Sequence, residues 1–388
     1  VRVGSSSRAT KVAGVLTLGE SAIVRNAHDV LGDPGFTDWR PEQPVAVVVP
    51  DDAPRLEIQA SDLRREDAGK VVDLTEALEY TCGLSDDELS YLVLGQYHDS
   101  ADKQSVIGQA SEDLVGAAGQ TTTRLEGLRT LVMPDGPAGL RLASKVGVDA
   151  DGPFPVGAAF EGLFAELLDE ESLAALGVDP SVAPRVPERT FEQWATAIPI
   201  GTAVAQTWNP EVARAYGDLV GAEMEHFGAH LWLAPAFNLH RTILCGRNFE
   251  YMSEDPLLAG RMAAGITHGV QAHPGRGVTV KHFAFNNQET NRLNSNSHVS
   301  QRAARDLYLR SFEIVVREAQ PHALMTSYNL VNGVHTSESA ELLETILREE
   351  WGYQGLVMTD WVVDGMTRTD APHPRATAPA TIKAGNEL

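Results

Sequence analysis

Asp360 is the residue of this sequence that is best placed to do chemistry. It follows the apolar run Leu356–Met358 after one residue, and Trp361 comes directly after it. In a parallel α/β barrel the carboxyl ends of the strands build the active site, so a carboxylate at this position is a candidate nucleophile. Other polar side chains stand at or just after apolar runs, namely Asp135, Arg247, Lys281, His282 and Tyr328. The repetition predicts one shared site at the mouth of a barrel.

Strand-like and helix-like segments alternate along most of the chain and could position these residues. Short apolar runs predict strands at 131–133, 231–235, 278–280, 323–325 and 356–358. Amphipathic stretches, such as 211–227 and 301–318, predict helices between them. Alternation of this kind, with polar residues after the strands, is typical of an α/β fold of the (β/α)8 TIM-barrel type.

Composition limits the classes of partner. The chain has 388 residues and a formal net charge of −22, which opposes binding to nucleic acid and to anionic membrane surfaces. No stretch has the length and apolar character of a transmembrane helix, and the start of the chain is not a signal peptide. Cys82 and Cys245 lack metal-ligand spacing and are expected to be reduced thiols, which favours a cytoplasmic location. No cofactor or metal is expected.

Longer motifs occur in order along residues 76–388. They are Asp135-Gly-Pro-Ala-Gly-Leu-Arg141, Gly201-Thr-Ala-Val-Ala-Gln-Thr-Trp-Asn-Pro210, Gly246-Arg-Asn-Phe-Glu-Tyr-Met-Ser-Glu-Asp-Pro256, Val280-Lys-His-Phe283 with Asn287-Gln-Glu-Thr-Asn-Arg292, Met325-Thr-Ser-Tyr-Asn329 with Val331-Asn-Gly333, and Met358-Thr-Asp-Trp361. Together they resemble the barrel domain of glycoside hydrolase family 3, specifically its β-glucosidase-like branch. Joint chance agreement of so many ordered motifs is negligible.

The resemblance implies a retaining β-glycosidase, with β-glucosidase favoured, in which Asp360 attacks the anomeric carbon to form a covalent glycosyl-enzyme. The implied sugar subsite is lined by Asp135, Arg141, Arg247, Lys281, His282, Tyr328 and Trp361. The implied substrates are β-linked oligosaccharides or aryl and alkyl β-glucosides. Xylose, galactose or arabinose in place of glucose would need only small changes in the pocket.

The residue types suit this use. The Asp135 carboxylate can accept a pair of hydrogen bonds from sugar hydroxyls, while arginine and lysine donate to hydroxyls and keep a neighbouring carboxylate ionised. The face of Trp361 can stack on the apolar side of a pyranose. Tyr328 could instead be a core aromatic residue whose hydroxyl is tied down, and Lys281-His282 could be a buried ion-pair donor and a satisfied core histidine.

Simpler roles also remain open in two loops. Arg247 could pair with Glu250 or Glu254 as loop scaffolding rather than bind sugar. Glu289 and Arg292 are expected to support the site from their loop rather than to act as catalysts.

A second carboxyl group, the general acid/base, is required of a retaining glycosidase at roughly 5–5.5 Å from the nucleophile. In the branch that this chain resembles, the acid/base Glu comes from a separate (α/β) sandwich domain, and no such domain fits here. A different branch uses a His in a Lys-His-Phe-Pro-Gly-type segment, which Lys281-His-Phe-Ala-Phe285 does not match. The acid/base is therefore expected from a domain absent from this chain. The alternative is a carbohydrate-binding or regulatory barrel without turnover.

The chain is predicted to consist of three parts. Residues 1–22 resemble the C-terminal edge of the fibronectin type III-like domain that accompanies the family, 23–75 have the composition of a linker, and 76–388 form the barrel. This order indicates an inverted arrangement with the sandwich domain first. The chain is expected to be a fragment with a truncated last barrel strand. Residues 142–196, rich in Pro, Gly and acid, are expected to be a lid loop or disordered.

Overall fold

The structure is a computed structural model that describes residues 75–96, 111–156, 185–363 and 372–388. All of them belong to the second of the two units into which the chain divides, Lys70–Leu388. The predicted fibronectin-like edge, 1–22, lies outside the described residues, as does the predicted linker except for Thr75.

Parallel strands form the centre of the described region. Strands β6 (Leu231–Trp232), β7 (Gly277–Phe283), β9 (Ala323–Thr326) and β12 (Leu356–Met358) make a parallel sheet in that spatial order. All seven residues of β7 are buried, as expected for a strand that is covered on both faces of a parallel sheet. The predicted runs 131–133, 231–235, 278–280, 323–325 and 356–358 all contain observed strand residues.

Two further segments extend this sheet at its edges. Strand β2 (Val132–Met133) lies beside β6, where His230 N donates to Val132 O at 2.9 Å and Leu233 N to Pro134 O at 2.9 Å. At the other edge, Glu387 N donates to Val357 O at 2.8 Å. Strand β1 (Gly119–Gln120) pairs with β2 in the antiparallel direction, a departure from the all-parallel barrel that the sequence predicts.

Helices alternate with the strands, as predicted. The helices are α1 (Thr75–Cys82), α2 (Asp86–Leu92), α3 (Gly201–Ala205), α4 (Pro210–Phe227), α5 (Pro256–Val270), α6 (Gln301–Ala303), α7 (Arg310–Ala319) and α8 (Ala378–Lys383), with π-helical turns at Ala304–Tyr308 and Glu341–Glu350. The Asn209 and Asp255 side chains cap α4 and α5, and a proline follows each cap at the first helical position. None of the helices in the described ranges has the length and apolar character needed to cross a bilayer.

The core lies between the sheet and the helices. Phe312 on α7 packs against Phe237 and Phe283, with ring centroids 4.5 Å and 5.2 Å apart, and all three side chains are fully buried. Phe283 also packs edge-on against Trp351 at 5.9 Å. This aromatic cluster anchors the end of β7, where Lys281 and His282 are found.

The segment after Arg141 contains a small sheet of its own. Strands β3 (Lys145–Asp149), β4 (Gly152–Pro155) and β5 (Arg189–Glu192) pair antiparallel in the order β4-β3-β5. Arg185 pairs with Asp149 and lies over the Phe154 ring at 4.1 Å. These contacts hold the segment that precedes β5 against this sheet. The described parts of 142–196, where a lid loop or disorder is expected from the sequence, therefore contain a three-stranded sheet, while 157–184 lie outside the described residues. The remaining strands, β8 (Asn296–Ser297), β10 (Leu330–Val331) and β11 (Val334–His335), form another three-stranded sheet.

Candidate active site

The carboxyl ends of the parallel strands carry the predicted site residues. Asp135 follows β2, Arg247 lies in the loop after β6, Lys281 and His282 are in β7, Tyr328 follows β9, and Asp360 and Trp361 follow β12. Direct contacts join Asp135 to Lys281 and Arg141, Arg247 to His282, and Tyr328 to Trp361. The sequence thus identified residues that the fold brings into contact.

Asp135 is the centre of a charged cluster. Lys281 Nζ donates to Asp135 Oδ1 at 2.6 Å, and Arg141 Nη2 pairs with Oδ2. Burial by itself would raise the pKa of Asp135, but the charges of Lys281 and Arg141 outweigh it and hold that pKa below its ordinary value. Asp135 is therefore an ionised carboxylate fixed by two cations, which suits it to accept hydrogen bonds from ligand hydroxyls.

His282 is held as a neutral acceptor. Its Nε2 lies 2.9 Å from Arg247 Nη1, and a guanidinium can only donate, so the imidazole proton resides on Nδ1. Burial, followed by the charges of Arg247, Lys281 and Arg292, keeps the pKa of His282 well below its ordinary value. Within the described part of the chain, His282 Nδ1 has no hydrogen-bond partner.

Arg247 has two roles in the structure. It pairs with Glu250, as the scaffolding interpretation expects, and it also reaches His282. Its guanidinium lies over the Tyr251 ring at 5.9 Å. Burial would lower the pKa of Arg247, but Tyr251 and Glu250 reverse that effect, so the side chain remains a cation. Glu250 therefore holds the Arg247 guanidinium in place, and the Nη1 end of that guanidinium faces His282 in the site.

Asn238 locks the backbone of His282 in place. Asn238 Oδ1 accepts from His282 N at 3.0 Å, and Asn238 Nδ2 donates to His282 O at 2.9 Å. Both residues are buried. These two hydrogen bonds fix the backbone that carries the His282 side chain.

Asp360 stands close to His282 and to Tyr328. Its Oδ2 lies 3.9 Å from His282 Nε2, and its Oδ1 accepts from Trp361 N at 2.8 Å. Tyr328 donates its hydroxyl to Trp361 O at 2.6 Å, and burial together with the charge of Asp360 raises the pKa of Tyr328. Among the described residues, no lysine or arginine forms an ion pair with Asp360. The carboxylate thus accepts one backbone hydrogen bond and lies beside Tyr328, without an ion pair to a described lysine or arginine.

Trp361 borders a cavity of about 470 Å³ that Asp360 also lines. Apolar side chains, including Met133, Met358 and Leu388, form much of its wall. The Trp361 ring packs against Gly119, where an added Cβ would lie 2.9 Å from ring atom Cζ2. A side chain on residue 119 would therefore displace the ring. Stacking of Trp361 on a sugar stays a prediction.

Among the described residues, no group of three or more His, Cys, Asp or Glu side chains could hold a metal ion. The chemistry that these residues offer is that of carboxylates, cations and neutral hydrogen-bonding groups.

The fold and site together define an α/β domain with a charged, hydroxyl-compatible site at the carboxyl ends of its parallel strands. Residues 188–388 match the family described as "Glycosyl hydrolase family 3 N terminal domain", and the chain belongs to this family. Membership confirms the predicted α/β fold of the TIM-barrel type and the resemblance to glycoside hydrolase family 3.

Individual relatives agree with this assignment. The chain is 49% identical over 166 residues to Beta-glucosidase A of Butyrivibrio fibrisolvens, covering 43% of this chain and 20% of the relative. It is 45% identical over 170 residues to an exo-alpha-(1->6)-L-arabinopyranosidase of Bifidobacterium longum, covering 44% and 22%. The solved structure of beta-glucosidase 3B from Thermotoga neapolitana in complex with glucose aligns with a TM-score of 0.61 at 35% identity, covering 81% of this chain and 36% of that one.

The aligned lengths show that this chain corresponds to only part of those proteins. It spans about a fifth of the first curated relatives and about a third of the Thermotoga structure. The matched region contains Arg247, Lys281, His282, Tyr328 and Asp360.

Proposed function

We propose that this chain is the nucleophile-bearing barrel of a retaining β-glycosidase, with glucose as the favoured glycone. The observation that carries the proposal is a contrast among carboxylates. Asp135, Glu250 and Glu289 each form an ion pair with lysine or arginine, whereas Asp360 forms none with the described lysines and arginines. A carboxylate that is oriented but not bound by a cation keeps an oxygen that is accessible and more nucleophilic than the oxygen of an ion-paired carboxylate.

The reaction would proceed in two steps. Asp360 Oδ2 attacks the anomeric carbon while the bond to the leaving-group oxygen breaks and that oxygen takes a proton from the general acid. Water then attacks the glycosyl-Asp360 ester, gives its proton to the same group acting as base, and releases the sugar. We propose that this acid/base is a Glu of a sandwich domain in the parent protein.

The charged cluster around Asp135 would hold the glycone. Its carboxylate accepts hydrogen bonds from sugar hydroxyls, and Lys281 and Arg141 keep it ionised while they donate to neighbouring oxygens. A site of this kind rejects sugars that lack a matching hydroxyl, because buried polar groups would then be left unpaired.

Relatives suggest which glycones to test. Several are named beta-glucosidases, and two are named exo-alpha-(1->6)-L-arabinopyranosidases. β-Glucosides are therefore the first candidate substrates, and α-L-arabinopyranosides are the second. A direct comparison of kcat/KM for aryl β-glucosides and aryl α-L-arabinopyranosides shows which of the two sugars is preferred.

The test is covalent labelling of the purified 388-residue chain with 2-deoxy-2-fluoro-β-D-glucosyl fluoride. Fluoride leaves without protonation, so the experiment does not depend on where the general acid comes from. Intact-mass measurement should show one fluoroglucosyl group, and peptide mapping should place it on Asp360. The Asp360→Asn variant should remain unlabelled. Absence of label on a folded wild-type chain, or label on another carboxylate, would contradict the proposal.

A further inference from the structure

The loop after β7 carries an ion pair for which the proposed reaction has no role so far. Glu289 Oε2 lies 2.9 Å from Arg292 Nη1, and both side chains are about one quarter to one third exposed, at 23% and 32%. A hydrogen bond from Arg292 N to Glu289 O, at 3.2 Å, closes the turn that holds the two side chains together. The pair is therefore built into the loop and partly shielded from water.

Glu289 is fastened to the Arg247 side of the site. Its Oε1 accepts from Asn286 Nδ2 at 3.2 Å, and the same amide donates to the Tyr251 hydroxyl at 3.1 Å. Asn286 and Tyr251 are both buried. Arg247, which binds His282, lies over the Tyr251 ring. Glu289 is therefore connected to Arg247 through Asn286 and Tyr251.

Arg292 also contacts Tyr328, which is hydrogen-bonded to the residue after the proposed nucleophile. Its guanidinium lies over the Tyr328 ring at 5.2 Å, a cation–π contact with a side chain that is 7% exposed. The Tyr328 hydroxyl donates to Trp361 O, the carbonyl of the residue after Asp360. The Glu289–Arg292 ion pair thus connects the residues around Arg247 and His282 to the backbone next to Asp360.

We propose that Arg292, held in place by Glu289, is a positioning residue that fixes Tyr328 and, through the Tyr328–Trp361 hydrogen bond, the orientation of Asp360. This inference rests on the proposed role of Asp360 as nucleophile. Arg292 touches a group beside the reacting carboxylate rather than the substrate. Its loss should therefore slow bond formation more than it weakens sugar binding, because small displacements of reacting atoms are costly in rate.

Saturation kinetics of labelling by 2-deoxy-2-fluoro-β-D-glucosyl fluoride separate these two effects. The apparent binding constant KI reports sugar binding, and the limiting rate constant kinact reports attack by Asp360. In Arg292→Met we expect kinact to fall by roughly 10- to 100-fold while KI changes by less than about threefold. Arg292→Lys should recover part of the rate, because lysine keeps the positive charge. The recovery should be incomplete, because lysine lacks the planar face that covers Tyr328.

Variants of Glu289, the partner of Arg292, and of the separate Arg310–Glu313 pair test the specificity of the effect. Glu289→Gln should lower kinact in the same direction, and the double variant Glu289→Gln/Arg292→Met should be no slower than Arg292→Met alone, because the two residues act as one unit. Arg310→Met is the control. Arg310 forms a comparable pair with Glu313, three residues away, on the outer helix α7, and its removal should leave kinact unchanged.

The outcomes are distinguishable. A folded Arg292→Met variant that is labelled at the wild-type rate would overturn the inference and leave the proposed function intact. Parallel loss of melting temperature, KI and kinact without recovery by Arg292→Lys would also overturn it, since that pattern describes a merely structural loop. A wild-type chain that is not labelled would overturn the proposed function, and this inference with it.

Discussion

Lys281 Nζ lies 2.6 Å from Asp135 Oδ1, although 146 residues separate the two in the sequence. The contact joins the ends of β7 and β2, which flank β6 in the sheet. Lys281 is 4% exposed at its side chain, so its charge is almost fully removed from water and depends on Asp135 for compensation. The Lys281–Asp135 ion pair therefore links the ends of β7 and β2, and it is the centre of the proposed sugar subsite.

Replacement of Lys281 by methionine should destabilise the domain. The variant keeps the length of the side chain but leaves Asp135 with Arg141 as its cationic partner, so a largely buried carboxylate loses half of its compensation. We expect the free energy of unfolding to fall by about 1–3 kcal/mol in urea titrations. The exposed Lys383→Met provides the control and should cost less than about 0.5 kcal/mol. Adding Asp135→Asn to Lys281→Met should restore part of the loss, and a purely additive double variant would contradict the explanation.

Neutral His282 should make the stability of the domain depend on pH. Its ordinary pKa is 6.5 and its folded pKa lies well below that value. Below about pH 6.5 the unfolded chain therefore binds a proton that the folded chain does not bind. Stability is fully present above that pH and is lost as the pH falls towards the folded pKa, by at most about 1.4 kcal/mol per pH unit for one proton.

The His282→Asn variant isolates this contribution. Denaturant unfolding at several pH values between about 7.5 and 5.5 should show a shallower loss of stability in the variant than in the wild type. Burial lowers the pKa of other histidines as well, but these are present in both proteins and cancel in the comparison; they are His230, His240 and His322. Parallel curves for wild type and variant would show that His282 is not held neutral.

Much of the barrel could be predicted from sequence because its signals are local. A short apolar run followed by a polar residue is visible in 356–358 with Asp360, and the same pattern located β2, β7 and β9. The antiparallel β1 is not predicted, because its residues Gly119 and Gln120 have low strand propensity and do not form the apolar run that marks the other strands. Strand β5 was also missed, since its four residues are all exposed and do not alternate between apolar and polar.

The contacts that organise the site could not be predicted in the same way. Arg292 lies over the Tyr328 ring, although the two residues belong to loops that follow different strands, β7 and β9. Asn286 reaches the Tyr251 hydroxyl across 35 residues of sequence. The sequence predicts a supporting role for Glu289 and Arg292 from their loop position, but a residue's position in a motif does not reveal what its side chain touches.

Close packing of α4 against α5 requires glycine at position 217. A Cβ on Gly217 would lie 2.1 Å from Ile266 O, so an alanine there must push the two helix backbones apart. Gly217→Ala should therefore lower the free energy of unfolding by about 1–3 kcal/mol in urea, although helix propensity alone favours alanine by about 1 kcal/mol. The converse change on the exposed face of α4, Ala222→Gly, measures propensity by itself and should cost about 1 kcal/mol. A more stable Gly217→Ala variant would show that the helices are not in backbone contact.

The dependence of hydrolysis on the leaving group tests where the general acid comes from. If the acid/base Glu belongs to a domain outside this chain, the 388-residue chain should form the glycosyl-Asp360 ester efficiently only from substrates whose leaving group needs no proton. We expect 2,4-dinitrophenyl β-glucoside to be cleaved. Alkyl or unactivated aryl β-glucosides should react roughly 10²–10⁴-fold slower than they would with the general acid in place, because that factor is the usual contribution of acid catalysis. Added azide should accelerate release of the sugar by attacking the ester without base assistance and should yield β-glucosyl azide. A weak leaving-group dependence, with no effect of azide, would mean that an acid/base group is present within this chain.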